Sequence, residues 1–323
     1  MKTTKEVSGR DNDLKTLLRI DTQIEKDRII RFISEKLEQL NKDGVVLGLS
    51  GGLDSSTCAY LLTEALGKDK ILGLILPERD SGKINMEHAR MVAKSLGIRT
   101  MEIDISGVLD DVGVYKIGPD EIKTESDVER IRQKKELSKQ LLGAGDHLAF
   151  KRLAIMHGID KLPDLLRQLG EVFYKNNAFS LTKVRTRMLH LYYHAWLYNY
   201  AVVGTLDKSE FSIGLYDPHG DGACDIAILR HLYKTQIKQL ASGIGVPQEI
   251  TQKKSSGDLY GNEAWEDAMG LTYEQLDQVL FGLEMGYPDE EFIQIVGKEG
   301  IDAIKKGKKV SELIRSLPIA LGN

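Results

Sequence analysis

From Gly48 to Ser56 the chain reads Gly-Leu-Ser-Gly-Gly-Leu-Asp-Ser-Ser, with two adjacent glycines and three hydroxyls around one carboxylate. These residue types suit anion binding. Glycines let backbone N–H groups approach an anion closely, a helix N-terminus adds partial positive charge, and serine hydroxyls donate to phosphate oxygens. Ser50, Gly51, Gly52, Ser55 and Ser56 are therefore candidate phosphate-binding residues. Asp54 would repel phosphate unless a cation stood between them, and Mg²⁺ resolves that conflict. A plain helix cap at Asp54 would not call for the paired glycines and the flanking serines together.

Such a loop works only between a strand and a helix, and the flanking sequence supplies both. "GVVLGLS" reads as a short buried strand, followed by a helix from about Asp54 to Leu66 that Gly67 stops. "KILGLILP" and "RTMEIDIS" read as second and third strands, with the amphipathic helix "NMEHARMVAKSLG" between them. Strand and helix alternating in this way predict a parallel sheet with right-handed crossovers. Ahead of it, "DTQIEKDRIIRFISEKLEQLNK" places Ile24, Ile29, Ile30, Phe32, Ile33, Leu37 and Leu40 along one helical face. The alternation breaks from about residue 107 to 179, which reads as a helical insertion. It resumes with a helix near Thr182 to Tyr198, the strand "YAVVGT", and helices near Lys234 to Gly243 and Thr272 to Met285. The expected organisation is a polar segment 1–20, an α/β domain formed by 21–106 and 180–285, the insertion 107–179, and a helical segment 286–323. The expected fold is a doubly wound, mostly parallel sheet.

Bulk properties narrow the function. The 44 basic and 48 acidic residues leave a net charge of −4, which does not suggest a general nucleic-acid or membrane-surface binder. Cys58 and Cys224 have no metal-like spacing, so neither a disulfide framework nor a zinc site is expected. With no long apolar run and a polar start, the chain is expected to be soluble and cytoplasmic.

"SGGLDSS" resembles the SGGxDS pyrophosphate loop of the ATP pyrophosphatase superfamily, whose members split ATP between the α- and β-phosphates and transfer AMP. The run "VRTRMLHLYYHAWLYNYAVVGTLDKSEFSIGLYDPHGDGACDIAILRHLYKTQ" resembles the core of the ammonia-dependent NAD synthase family, and "SSGDLYG" and "EDAMGLTYEQLD" continue the likeness. The resemblance implies an adenine nucleotide alpha-hydrolase-like fold and an AMP-forming amide ligase. Its implied substrates are ATP, ammonia and a carboxylate, deamido-NAD. It implies that Gly48, Ser50, Gly51, Gly52, Asp54, Ser55, Ser56, Thr205, Lys234 and Ser256 hold ATP, that Asp54 and Glu210 bind Mg²⁺, and that Asp54 and Lys234 act in catalysis. Arg185 and Asp225 fall where the family binds deamido-NAD, and a homodimer is implied as well.

The chain departs from the family pattern on the acid-substrate side. A Thr-Lys before Gly-Asp-Gly is replaced by Asp217, Pro218 and His219, a Thr-Asp-Glu by Ala264, Trp265 and Glu266, and a C-terminal His-Lys-Arg by Leu313, Ile314 and Arg315. Either His219, Lys253, Lys254 and the basic tail take over binding of the dinucleotide, or another acid is amidated. Two other readings are a catalytically silent nucleotide-binding protein and a sulfur-transferring tRNA enzyme. Intact Asp54, Glu210 and Lys234 speak against the first, and the acidic charge and lack of a cysteine pair against the second. No glutaminase is legible, so ammonia would be free or come from a separate partner. Tyr192, Trp196 and Tyr200 recur every four residues, as in core packing or a subunit contact.

Overall fold

The computed structural model describes residues 14–117, 136, 139–162, 170–254, 264–318 and 320. Five strands, β1 (Gly44–Gly48), β2 (Ile71–Ile75), β3 (Arg99–Glu102), β4 (Tyr200–Gly204) and β5 (Ile226–Ala227), form a parallel sheet in the order β3-β2-β1-β4-β5. The apolar runs become strands because both faces are covered, so successive side chains enter opposite cores. Val45 and Leu47 pack with Ile29, Cys58, Leu62 and Ile237 on one side, while Val46, Leu72, Leu74 and Val202 pack with Phe179 and Ala195 on the other.

The first side is built by α1 (Thr22–Gln39), α2 (Leu53–Leu66) and α3 (Lys83–Leu96). Asp21 caps α1 by accepting from the Gln23 and Ile24 amides, and Ile29, Ile33 and Leu37 are its buried stripe, whereas Ile24, Phe32 and Leu40 of the expected apolar face are exposed because they lie off the stripe that meets the sheet. Further helices are α4 (Leu148–Met156), α5 (Gly170–Tyr198), α6 (Lys208–Ile213), α7 (Lys234–Gly243), α8 (Tyr273–Glu284) and α9 (Ile293–Arg315), with shorter helical turns between them. A further core joins α4, α8 and α9 through Phe150, Leu276, Val279 and Ile304.

The stretch read as an insertion is helical where it is described, with turns at Ser106–Asp111 and Val114–Ile117 before α4. Its α4 shares a core with the C-terminal helices. The expected boundary at 179/180 falls inside α5, because that helix runs unbroken from Gly170 to Tyr198. No described helix is long and apolar enough to cross a membrane, and Cys58 and Cys224 are both free. The strand order reverses between β1 and β4, and in an open parallel sheet this is where a crevice forms at the carboxyl ends of the strands.

Candidate active site

The loop after β1 lies in that crevice. Gly51 has a φ of +71°, and a Cβ there would come within 2.1 Å of the Asn85 carbonyl oxygen and 2.7 Å of the Ala89 nitrogen, so the packing of α3 demands glycine. Gly52 differs. Its φ is −87°, and the nearest atom to a Cβ would be Ser50 Oγ at 3.3 Å. The fold alone would accept a side chain there, and the space it would fill opens onto the cavity described below. Gly52, and not Asp54, is the N-cap of α2, with no side chain satisfying the first turn. The amides at that end are thus left for a ligand or solvent. Ser50 Oγ lies 2.9 Å from Ser55 Oγ, and the Ser50 amide donates to the same Ser55 oxygen at 3.2 Å.

The end of β4 supplies the opposing wall. Asp207 caps α6 by accepting from the Glu210 amide at 2.7 Å, which places the Glu210 carboxylate next to its own. Lys234, the first residue of α7, extends between them: its Nζ is 2.5 Å from Asp207 Oδ2, 2.9 Å from Asp54 Oδ2 and 3.0 Å from Glu210 Oε1. Burial disfavours the Lys234 charge, yet Asp207, Asp54 and Glu210 outweigh it and hold the ammonium well above the usual lysine range. Glu210 is pushed up to about 8, first by burial and then by Asp207.

Three carboxylates facing one ammonium leave surplus negative charge, and uncompensated buried charge is costly. Asp54, Asp207 and Glu210 each offer an oxygen, all within 4.8 Å of one another. The other oxygen of Asp54, Oδ1, is buried with no hydrogen-bond partner. Hard oxygen donors around an orphaned carboxylate oxygen fit a divalent cation such as Mg²⁺.

Asp54 and Glu210 line a cavity of about 300 Å³ at the ends of β1, β2 and β4, while Asp207 and the predicted Lys234 are buried behind them, outside the lining. Gly48, Ser50, Gly52, Asp54, Ser55, Thr205, Glu210 and Lys254 line it, whereas Ser56 is buried in α2 behind it. The wall after β2 is clamped to α5 by Lys183, fully buried, with Nζ 2.9 Å from Glu78 and 2.8 Å from Asp80. Ser256 lies outside the described residues. The remaining predicted residues are placed away from the lining. Arg185 forks onto Asp217 at 2.6 and 3.1 Å. Asp225 accepts from the Val202 amide at 2.8 Å and from the Tyr192 hydroxyl at 3.4 Å, and the His219 amide donates to Asp217 at 3.1 Å.

The sequence model of the NAD synthase family matches residues 25–140 and 147–318. The chain belongs to the NAD synthase family. It is similar to the NH3-dependent NAD+ synthetase of Methanocaldococcus jannaschii, at 38% identity over 82% of this chain and 83% of that one. The protein of the same name from Thermotoga maritima is 36% identical over 91% and 98% of the two chains. The fold is shared with the NMN synthetase of Francisella tularensis (TM-score 0.66, 23% identity, 94% of this chain and 100% of that one) and with the NH3-dependent NAD synthetase of Campylobacter jejuni (0.63, 24%, 94% and 100%).

The matched residues of the NAD synthase family model span most of the 107–179 stretch that reads in the sequence as a helical insertion. Sequence reasoning also missed Asp207, Arg187 and Asn85 as residues of the site. Asp207 had a signal: Asp-Lys-Ser-Glu after the strand is a helix-start pattern that pairs a capping carboxylate with a glutamate one turn on. Arg187 could have been found from its spacing to Val184, since both face the cavity at i and i+3. The NAD synthase departures resolve individually. Trp265 and Lys253 line the cavity, but Ile314 is buried in the core and Arg315 stacks 5.1 Å from the Phe211 ring.

Proposed function

We propose that the cavity binds ATP against the Gly48–Ser56 loop and that the chain makes an amide from deamido-NAD and ammonia, releasing AMP and pyrophosphate. The observation that carries this is the placement of Lys234 among Asp54, Asp207 and Glu210, with Asp54 in the first turn of the helix that follows the glycine loop at the sheet's switch point. In the first step a carboxylate oxygen of the acid attacks the α-phosphorus, and the bond to the bridging oxygen breaks as pyrophosphate departs with the electron pair. The Lys234 ammonium and the free amides of α2 face the charge that builds on that leaving group. In the second step ammonia adds to the activated carbonyl, its nitrogen gives up a proton, and the carbon–oxygen bond to AMP breaks. Asp54 and Glu210 would hold Mg²⁺, which supplies charge neutralisation on the polyphosphate.

Amidation of a different acid is the second reading, and one observation favours it. The Arg185 guanidinium, which the family resemblance assigns to the acid substrate, is engaged by Asp217. The test is an assay of AMP and amide with ATP, Mg²⁺ and ammonium, comparing deamido-NAD with a panel of other carboxylic acids. Saturable formation of NAD and AMP in equal amounts is expected, with glutamine unable to replace ammonium. AMP release only with another acid would overturn the choice of substrate.

We also propose a homodimer built on α5. Leu189, Tyr193, Trp196 and Leu197 share one helical face and are 58–77% exposed, a run of apolar surface that a second copy would cover. Of the aromatics noted in the sequence, only Trp196 points outward; Tyr192 and Tyr200 pack partly against the sheet, and Tyr200 belongs to β4. Trp196→Glu should convert a dimer to a monomer in sedimentation. A wild-type protein that sediments as a monomer would refute the dimer.

A further inference from the structure

Behind the acidic pocket, α8 presents Tyr273 and Asp277 one helical turn apart. The Tyr273 hydroxyl donates to Glu210 Oε1 at 3.3 Å, and its ring lies 5.1 Å from the Lys234 ammonium. Asp277 is fully buried and does not line the cavity. Its Oδ1 is 2.5 Å from Ser209 Oγ, and its Oδ2 accepts from the Thr235 amide at 2.9 Å. Ser209 Oγ in turn accepts from the Lys234 amide at 2.9 Å.

The direction of these bonds is determined by chemistry. The Lys234 amide can only donate, so Ser209 accepts there, and the ionised Asp277 carboxylate can only accept, so Ser209 gives its own proton to it. Donation therefore runs from Lys234 to Ser209 to Asp277, with Thr235 donating to the other oxygen of the same carboxylate. These amides are the first two of α7, which have no partner inside the helix. One buried carboxylate thus ties α8 both to the start of α7, which carries the Lys234 side chain, and to α6, which carries Glu210.

We infer that Asp277 is a positioning residue: acting through Ser209 and the Lys234 and Thr235 amides, it sets the place of the Lys234 ammonium against Asp54, Asp207 and Glu210. This rests on the reading that Lys234 acts on the phosphates of ATP. A serial arrangement differs from ordinary packing in a measurable way. Removing either link displaces the same backbone, so the two losses should not add.

The test compares Ser209→Ala, Asp277→Asn and the double variant with Lys234→Gln in the steady-state assay, with melting temperature measured alongside. Ser209→Ala and Asp277→Asn should each lower kcat by about ten- to a hundredfold, the scale of an ångström of misplacement, with KM for the acid nearly unchanged. The double variant should be no slower than the slower single one. If Asp277→Asn does not fold, Ser209→Ala carries the comparison, because it removes one hydroxyl and leaves the carboxylate with the Thr235 amide. Wild-type kcat in both single variants with only a lowered melting temperature would overturn the inference, as would losses that multiply in the double variant. Wild-type turnover in Lys234→Gln would instead overturn the reading of Lys234.

Discussion

Lys234→Met should lower kcat by about a hundred- to a thousandfold, the loss found when a buried donor to developing charge is removed. Its side chain is 4% exposed, and its ammonium is the cation that Asp54, Asp207 and Glu210 share. Methionine keeps much of the volume and none of the charge, so the variant separates electrostatics from packing. The fold should suffer as well, by about 3–5 kcal/mol, because three carboxylates are left without their counter-ion. Protonation relieves such repulsion, so the variant should regain stability as pH is lowered, while activity does not return. Thermal melts at several pH values beside single-turnover measurements check both parts. A variant that melts like wild type and releases pyrophosphate at the wild-type rate would remove Lys234 from the mechanism.

Asp54→Asn should raise the Mg²⁺ concentration needed for half-maximal activity by at least about a hundredfold, the upper end of what is lost when even a residue supporting a metal ligand is changed. The orphaned Asp54 Oδ1 predicts the linked effect on the wild-type protein. Glu210 is pushed up to about 8 in the folded chain, against an ordinary value of 4.5. Between those values the folded state holds a proton that the unfolded state has released, so stability falls as pH rises through the window. Asp277, pushed up to about 7 first by burial, acts in the same direction. A cation bound in place of the Glu210 proton removes part of this dependence. Melting temperature without metal should therefore drop from pH 5.5 to pH 8, and Mg²⁺ should stabilise the protein more at pH 8 than at pH 5.5. A flat metal-free profile, or a Mg²⁺ effect equal at both values, would refute the cation site.

Local pattern determined a large part of this protein. The strand, the glycine loop and the helix from Gly44 to Leu66 are contiguous, so the continuous apolar run of a strand buried on both faces and the helix start after the loop are written into neighbouring residues. Glu210 and Lys234 were pointed to only by the family resemblance of the long run that contains them, since neither stands out by its residue type and spacing alone. What they do together was not legible. Lys234 meets Asp54 across 180 residues of sequence, and Asp277 reaches the Thr235 amide across 42, distances at which one sequence carries no pairing information. The same limit hid Asp217, which engages Arg185 from 32 residues away and takes it out of the cavity wall. It also hid the role of α4, an amphipathic segment whose partners, α8 and α9, come only after the sheet is complete. Sequence thus decided which chemical groups are present and which local element carries each. The order of the strands decided which of them share a buried pocket, because only the reversal between β1 and β4 brings the two loop ends to one crevice.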